Sequence, residues 1–103
     1  MDIVIGRNKR CPCARVNPFI GLMFQTPHPV MFSFKTPRII ALHNMFVFGS
    51  TDVLFVQKNR IVEIKRNFKP FTFYTPKKQA THVIELPAGM AKSINVGDAL
   101  RLR

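Results

Sequence analysis

The sequence is poor in acidic residues. Only five Asp and Glu occur among 103 residues, against sixteen Lys and Arg. No two of the carboxylates are close in sequence, which argues against general acid–base catalysis by a carboxylate pair. They are Asp2, Asp52, Glu63, Glu85 and Asp98.

Cysteine is rarer still. Cys11 and Cys13 flank Pro12, and a disulfide between two residues so close together would be strained. They supply at most half of a metal site. The other soft ligands are three isolated histidines, His28, His43 and His82. We therefore expect two ordinary thiols, no metal and no cofactor, with a lowered thiol pKa only if a sulfur is exposed beside the neighbouring cations.

Long apolar runs and recognisable processing signals are also missing. No run approaches the roughly 18 apolar residues that suggest a membrane span. The short apolar stretch at the N-terminus precedes the charges, whereas a secretory signal has them in the opposite order. No internal repeat, phosphate-binding glycine-rich loop or zinc-ligand spacing occurs. We expect a soluble cytoplasmic protein with one domain spanning residues 1–103.

The sequence is rich in apolar residues, and prolines interrupt it at frequent intervals. Hydrophobic residues make up 47% of the chain, enough for a packed core, and eight prolines leave little room for a long helix. Between the prolines lie short segments rich in Val, Ile, Phe and Thr, which predict strands. The expected fold is mainly β: a small sandwich, a jelly-roll-like domain or a partly open barrel, with one or two short helices.

The clearest unit is a hairpin with strands at 53–57 and 61–65, joined by a turn at 58–60. Residues 53–56 are all apolar, which predicts a strand covered on both faces. Other strands are expected at 2–5, 31–34, 38–42, 71–74, 82–86 and 99–102. A short helix is expected at 17–24, where Asn17 and Pro18 suit a helix start. Another helical turn or two is expected within 88–98.

An ordered set of short motifs resembles a known prokaryotic family. The motifs are GLMF at 21–24, VMFSF at 30–34, IALHNMFVFGSTDVLFV at 40–56, RIVEI at 60–64, KPF at 69–71, VIELPAG at 83–89 and INVGDALRL at 94–102. Over about residues 13–103 their order and spacing resemble the family catalogued as domain of unknown function 192. The resemblance implies a β-dominated fold and little about activity, because that family has no established reaction.

The sequence departs from this family pattern at two places. The family usually carries an arginine three residues before the glycine of GLM, where this chain has Pro18. It often has Pro-Ile-Asp before the long apolar strand, where this chain has Ser50, Thr51 and Asp52. No role of the arginine can be carried over, whereas the aspartate is retained in type.

His43 and Asp52 are the candidates for a catalytic site. A chain reversal between them could form the orienting His–Asp half of a catalytic constellation. The available nucleophiles, none in a recognisable motif, are Ser33, Ser50, Thr51 and the cysteines. The structural alternative is that Asp52 binds backbone N–H groups of its own turn and that His43 holds a neighbouring carbonyl. The sequence favours this alternative.

Three other polar residues have simpler expected roles. His28 stands between two prolines, which predicts an extended, exposed loop. His82 is expected at the edge of a strand. Glu85 alternates with Ile84 and Leu86, so it should point away from them and pair with a basic neighbour.

Basic and aromatic residues are interleaved between positions 58 and 78. The candidates for binding nucleic acid or another polyanion are Lys58, Arg60, Lys65, Arg66, Lys69, Lys77 and Lys78. Such cations can hold phosphates while bases stack on neighbouring aromatics, as in cold-shock and related small β-domains. The alternative is that the phenylalanines, including Phe71, belong to the core and that the charges protect a sheet edge.

Three functions remain open from the sequence. The first is a non-enzymatic binding module with an unidentified ligand or protein partner, which the sequence favours. The second is a nucleic-acid-binding module that uses the stretch 58–78, and the third is a small enzyme built on His43 and Asp52. The net charge of +11 attracts polyanions but does not choose among nucleic acid, anionic lipid and an acidic protein.

Overall fold

The computed structural model describes residues 2–6, 9–16, 26–45 and 47–102. Their regular structure is strand throughout, with no helix in these ranges. The strands are β1 (Asp2–Ile5), β2 (Lys9–Pro12), β3 (Ala14–Arg15), β4 (Val30–Arg38), β5 (Leu42–His43), β6 (Thr51–Gln57), β7 (Arg60–Phe68), β8 (Phe73–Tyr74), β9 (Ala80–Pro87) and β10 (Leu100–Leu102). The expected mainly β fold is confirmed.

The strands form three open sheets. The largest has five strands in the order β3-β4-β9-β6-β7, a second has the order β10-β1-β2, and β5 pairs with β8 as a two-stranded ribbon. The pairings are antiparallel except that of β3 with β4. The five-stranded sheet carries the residues on which the site depends.

Strand β6 is covered on both faces, as its apolar run predicts. Residues 51–56 are all buried. Leu54 packs in a core with Ile3 of the three-stranded sheet, whereas Val53 packs in a second core with Leu42 of the ribbon. The five-stranded sheet is therefore a middle layer, which explains the unbroken apolar run in β6.

The β6–β7 hairpin turns through two residues instead of the expected three. Lys58 and Asn59 have φ values of 53° and 62°, and Gln57 already pairs with Arg60. Two successive left-handed residues are typical of the tight hairpin turn whose twist matches that of the strands.

Two expected strands are wrong in extent. β4 continues through Pro37 to Arg38, and residues 39–41 lie outside any strand. The pairing of β4 with β9 shifts register between Ser33 and Arg38, and such a bulge tolerates a proline that offers no N–H to the ladder. The strand expected at 71–74 shortens to β8 because Phe71 has a left-handed φ of 62°.

The two expected helices have different outcomes. The one at 17–24 lies outside the described residues. At 88–98 the chain makes successive three-residue turns, in which Met90, Lys92 and Ile94 donate N–H groups to carbonyls three residues earlier. Gly89 has a φ of 95°, which interrupts any helix at its start.

Cys11 and Cys13 are both buried in the core beside the three-stranded sheet, and no disulfide joins them. Burial, together with the neighbouring Cys11, raises the pKa of Cys13 to about 11. A lowered thiol pKa would require an exposed sulfur, and Cys13 is buried.

This burial leads to an expected result for thiol labelling. At pH 8 iodoacetamide should modify Cys13 at least about a hundredfold more slowly in the folded protein than in urea, because the thiolate is the nucleophile. Peptide mass spectrometry over a time course measures the two rates. Similar rates in both states would contradict the buried environment.

Candidate functional site

Asp52 holds two distant segments at the start of β6. Its Oδ1 accepts the N–H of Asn67 at 2.9 Å, and its Oδ2 accepts those of Gly89 at 2.9 Å and Ala91 at 3.1 Å. The residue is 3% exposed. These N–H groups come from β7 and from the turns after β9. The sequence predicts instead that Asp52 binds N–H groups of its own turn.

Arg66 binds carbonyl groups of the same turn segment whose N–H groups Asp52 binds. Its guanidinium donates to the carbonyl oxygens of Ala91 and Ile94. A backbone segment that leaves a strand needs partners for both N–H and C=O groups. Asp52 and Arg66 together provide them, and we call this pair of anchors the loop clamp.

His43 lies elsewhere, on the ribbon. It is exposed, and its Nδ1 accepts the backbone N–H of Met45 at 3.3 Å. In the parts of the chain that the structure describes, no hydrogen bond joins His43 to Asp52. The cross-strand partner of His43 is instead Phe73, and residues directly opposite in an antiparallel pair project from the same face.

Two open clefts adjoin the loop clamp. The larger, of about 450 Å³, is lined by Asp52, Arg66, Asn67, Ala88, Gly89 and Lys92. The smaller, of about 350 Å³, is lined by Lys65, Arg66, Asn67, Lys69, Thr72 and Phe73. Arg66 and Asn67 line both, so the clefts meet at β7, the edge strand of the five-stranded sheet.

Four cations line these two clefts, and we call them the basic face: Lys65, Arg66, Lys69 and Lys92. Among the described lining residues the only acidic one is Asp52, whose oxygens already accept three N–H groups. Sequence reasoning identified the first three cations but missed Lys92. The loop clamp brings that lysine to the face, and no local sequence pattern signals it.

The other basic candidates do not line these clefts. Lys58 and Arg60 are at the opposite end of the β6–β7 hairpin, where Arg60 donates to the carbonyl of Gly97 at 3.1 Å. A strand rises about 3.3 Å per residue, so Arg60 and Lys65 are roughly 16 Å apart along β7. Exposed Lys77 and Lys78 donate backbone N–H groups to the carboxylate of Glu63.

The aromatic residues of this region divide into core and surface. Phe68 is 1% exposed, whereas Phe71 is 61% and Phe73 is 75% exposed. The expectation that Phe71 belongs to the core is therefore wrong. Its left-handed backbone turns the side chain outward, and its N–H donates to the carbonyl of Asn44 at 2.9 Å.

Tyr74 connects the basic face to the core. The Nζ of Lys65 lies 5.4 Å from the centre of the Tyr74 ring, close enough for a cation–π interaction. The hydroxyl of Tyr74 donates to the carboxylate of Glu63, and this hydrogen bond is the main cause that raises the pKa of Tyr74 to about 12. Lys65 thus lies over a ring of the ribbon.

Glu85 points away from Ile84 and Leu86, as expected, but the described residues include no basic partner for it. It is 7% exposed and lies between Val30 on β4 and Val53 on β6. Among the described residues, no hydrogen bond or ion pair of its carboxyl group is seen. Burial raises its pKa to about 7.

The remaining histidines lie in unlike surroundings. His28 lies in an irregular segment, as expected, but it is half-buried rather than exposed. His82 lies inside β9, paired with Ser33 and Val56, and not at a strand edge. Burial and the nearby Arg15 lower the pKa of His82.

Metal-ligating side chains do not cluster in the described ranges, where no group of three or more His, Cys, Asp or Glu could hold an ion. The same ranges contain no helix that is long and apolar enough to cross a membrane.

Several proteins resemble this chain in sequence. It is 34% identical over 90 residues to a UPF0127 protein of Pyrococcus furiosus, a match that covers 82% of this chain and 78% of the relative. It is 35% identical over 83 residues to a UPF0127 protein of Pyrococcus abyssi, covering 76% and 71% respectively.

Two solved structures share the fold. One, of a protein of unknown function from Novosphingobium aromaticivorans, superposes with a TM-score of 0.84 at 21% identity and covers 98% of this chain and 84% of its own. The other, from Sinorhizobium meliloti and provisionally named a transcription regulator, has a TM-score of 0.83 at 23% identity and covers 97% and 92%. At such identities the likeness shows the fold alone.

A family model agrees with these relatives. The model for domain of unknown function 192, described as an uncharacterised ACR, matches residues 16–102. The match extends over most of the chain, including β6, β7 and the turns that the loop clamp holds. This chain therefore belongs to the uncharacterised family DUF192.

Proposed function

We propose that this domain is a non-enzymatic binding module whose basic face takes a polyanionic ligand, with nucleic acid as the polyanion. The observation that carries the proposal is the pair of adjoining clefts lined by Lys65, Arg66, Lys69 and Lys92. Cations around a concave surface concentrate the positive potential and attract extended anions.

The engagement of the polar side chains supports a binding role over catalysis. Asp52 is occupied by three backbone N–H groups, and His43 accepts the N–H of Met45. A general base needs a lone pair directed at its substrate and an orienting partner. Three of the roughly four acceptor positions of the Asp52 carboxylate are taken by structural N–H groups.

The choice of nucleic acid rests on the aromatics beside the cations. Phe73 lines the smaller cleft together with Lys65 and Lys69, and nucleic acid presents both phosphates and bases to such a surface. The provisional name of the S. meliloti protein, which concerns transcription, agrees with this choice over anionic lipid or an acidic protein. A nucleic-acid partner also fits the expected cytoplasmic location.

Salt dependence tests the basic face. In the triple variant Lys65→Gln, Lys69→Gln, Lys92→Gln, the slope of log affinity against log salt should become less steep by about two to three, because each lost phosphate contact removes about 0.7–0.9. Fluorescence anisotropy with a labelled oligonucleotide between low and physiological salt measures the slope. Arg66 is left intact because it belongs to the loop clamp.

The matched control removes equal charge elsewhere. The triple variant Lys35→Gln, Lys58→Gln, Arg101→Gln changes three exposed cations outside the basic face, so its slope should stay close to that of the unmodified protein. Equal flattening in both variants would show diffuse attraction by net charge and would refute the proposal. An unchanged slope in the first variant would refute it as well.

A further inference from the structure

We infer that the polyanion is single-stranded nucleic acid, whose bases stack on the exposed rings of His43, Phe71 and Phe73 while its phosphates contact the basic face. The inference rests on the proposed function, because it names the ligand class of the same surface.

Phe73 and His43 provide the first stacking platform. They are directly opposite each other in the β5–β8 ribbon, and both are exposed. The alternate pair, Leu42 and Tyr74, packs inward on the core. The ribbon therefore has an apolar inner face that fixes it and an outer face that presents an imidazole beside a phenyl ring.

Phe71 provides the second platform, at an unfavourable backbone conformation. A left-handed φ is uncommon for a bulky side chain, and Phe71 adopts it at 62° while its ring is 61% exposed. The turn is held from both sides by Asn44, which donates its N–H to Thr72 and accepts that of Phe71. Strain of this kind that presents an apolar ring to solvent is typical of functional positions.

The rings and the cations lie within reach of one nucleotide chain. The smaller cleft brings Phe73 together with Lys65 and Lys69, and Phe71 lies between Lys69 and Phe73 in the sequence. A strand with unpaired bases offers base faces to such rings and phosphates to the neighbouring lysines. A duplex keeps its base faces stacked inside, so the rings would add nothing to its affinity.

The inference predicts a loss that is specific to single strands. The double variant Phe71→Asn, Phe73→Ser should weaken the binding of a single-stranded oligonucleotide by about 5- to 100-fold for each ring that stacks. Its affinity for a duplex of the same length and for inorganic polyphosphate should not change. Asparagine is chosen because it tolerates the left-handed conformation of Phe71.

A second variant supplies a direct signal and does not depend on loss. The chain contains no tryptophan, so Phe73→Trp introduces a single indole at the proposed platform. A base that stacks on this indole should quench its emission on addition of the single strand, with affinity equal to or tighter than that of the unmodified protein. Polyphosphate and duplex should leave the emission unchanged.

The outcomes separate the inference from the proposed function. If the double variant binds single strand and duplex with the same change, or if the indole is not quenched by the single strand, stacking is refuted. The lysine triple variant then decides the function on its own, because it should weaken single strand, duplex and polyphosphate alike. Two results together would support both proposals. The lysine triple variant would lose polyphosphate binding, and the variants at Phe71 and Phe73 would respond to single strand but not to duplex.

Discussion

The substitution Asp52→Asn should lower the free energy of unfolding by about 2–4 kcal/mol, the loss expected for charge-assisted hydrogen bonds to a buried group. The carboxylate accepts N–H groups from Asn67, Gly89 and Ala91. An amide keeps one acceptor oxygen but turns an NH₂ group toward at least one of these donors. Donor then faces donor at a side chain that is 3% exposed.

Thermal and urea unfolding measure this loss. For a chain of this size, it corresponds to a fall in melting temperature of roughly 10–25 °C. The matched control is Asp98→Asn, because Asp98 accepts a single N–H, that of Asn95, at an exposed site. Its effect should stay below about 1 kcal/mol. Unchanged stability of Asp52→Asn together with lost ligand binding would contradict the clamp and favour a direct role of Asp52 in binding.

The partners of Asp52 show how far the sequence could lead. The position of Asp52 at the start of an apolar strand predicts that its carboxylate binds backbone N–H groups. The structure shows three such hydrogen bonds. The donors, however, lie 15, 37 and 39 residues along the chain. Such partners depend on how β7 and the turns after β9 pack against β6, and no local pattern in the sequence carries that information.

The strands follow the same division between local and long-range causes. The β6–β7 hairpin was predictable because an apolar run, a turn with Asn59 and a second apolar run are adjacent in the sequence. The strand expected at 38–42 was wrong because a bulge in the pairing with β9 carries β4 through Pro37. The bulge depends on the partner strand, which the sequence of β4 does not reveal.

The basic face was predictable only in part. Proximity in sequence suggested one surface from 58 to 78, but strand geometry separates Lys58 and Arg60 from Lys65 and Lys69. The phenylalanines of this stretch also look alike in the sequence. In the structure, the left-handed φ of Phe71 turns its ring toward solvent. A stretch of mixed cations and aromatics indicates a binding surface, and the backbone determines which members compose it.

The substitution Glu85→Gln should raise the free energy of unfolding at pH 8 by roughly 3 kcal/mol and should flatten its pH dependence. Burial raises the pKa of Glu85 to about 7 in the folded protein, against about 4.3 in an unfolded chain. Between these values the folded protein keeps a proton that the unfolded chain releases. The contribution of Glu85 to the free energy of unfolding is therefore fully present below about pH 4.3. It is lost as the pH rises to about 7, by up to about 1.4 kcal/mol per pH unit.

Urea unfolding of protein and variant at pH 5, 6, 7 and 8 measures the difference between them, in which other titrating groups largely cancel. His82 is the main one to cancel: its pKa is lowered on folding, so its contribution is lost as the pH falls, opposite in sign to that of Glu85. The difference should be small at pH 5 and grow to pH 8. The matched control, Glu63→Gln, should destabilise at pH 8, because Glu63 accepts bonds from Tyr74, Lys77 and Lys78. Parallel curves for protein and Glu85→Gln would contradict a buried carboxyl that holds its proton at neutral pH.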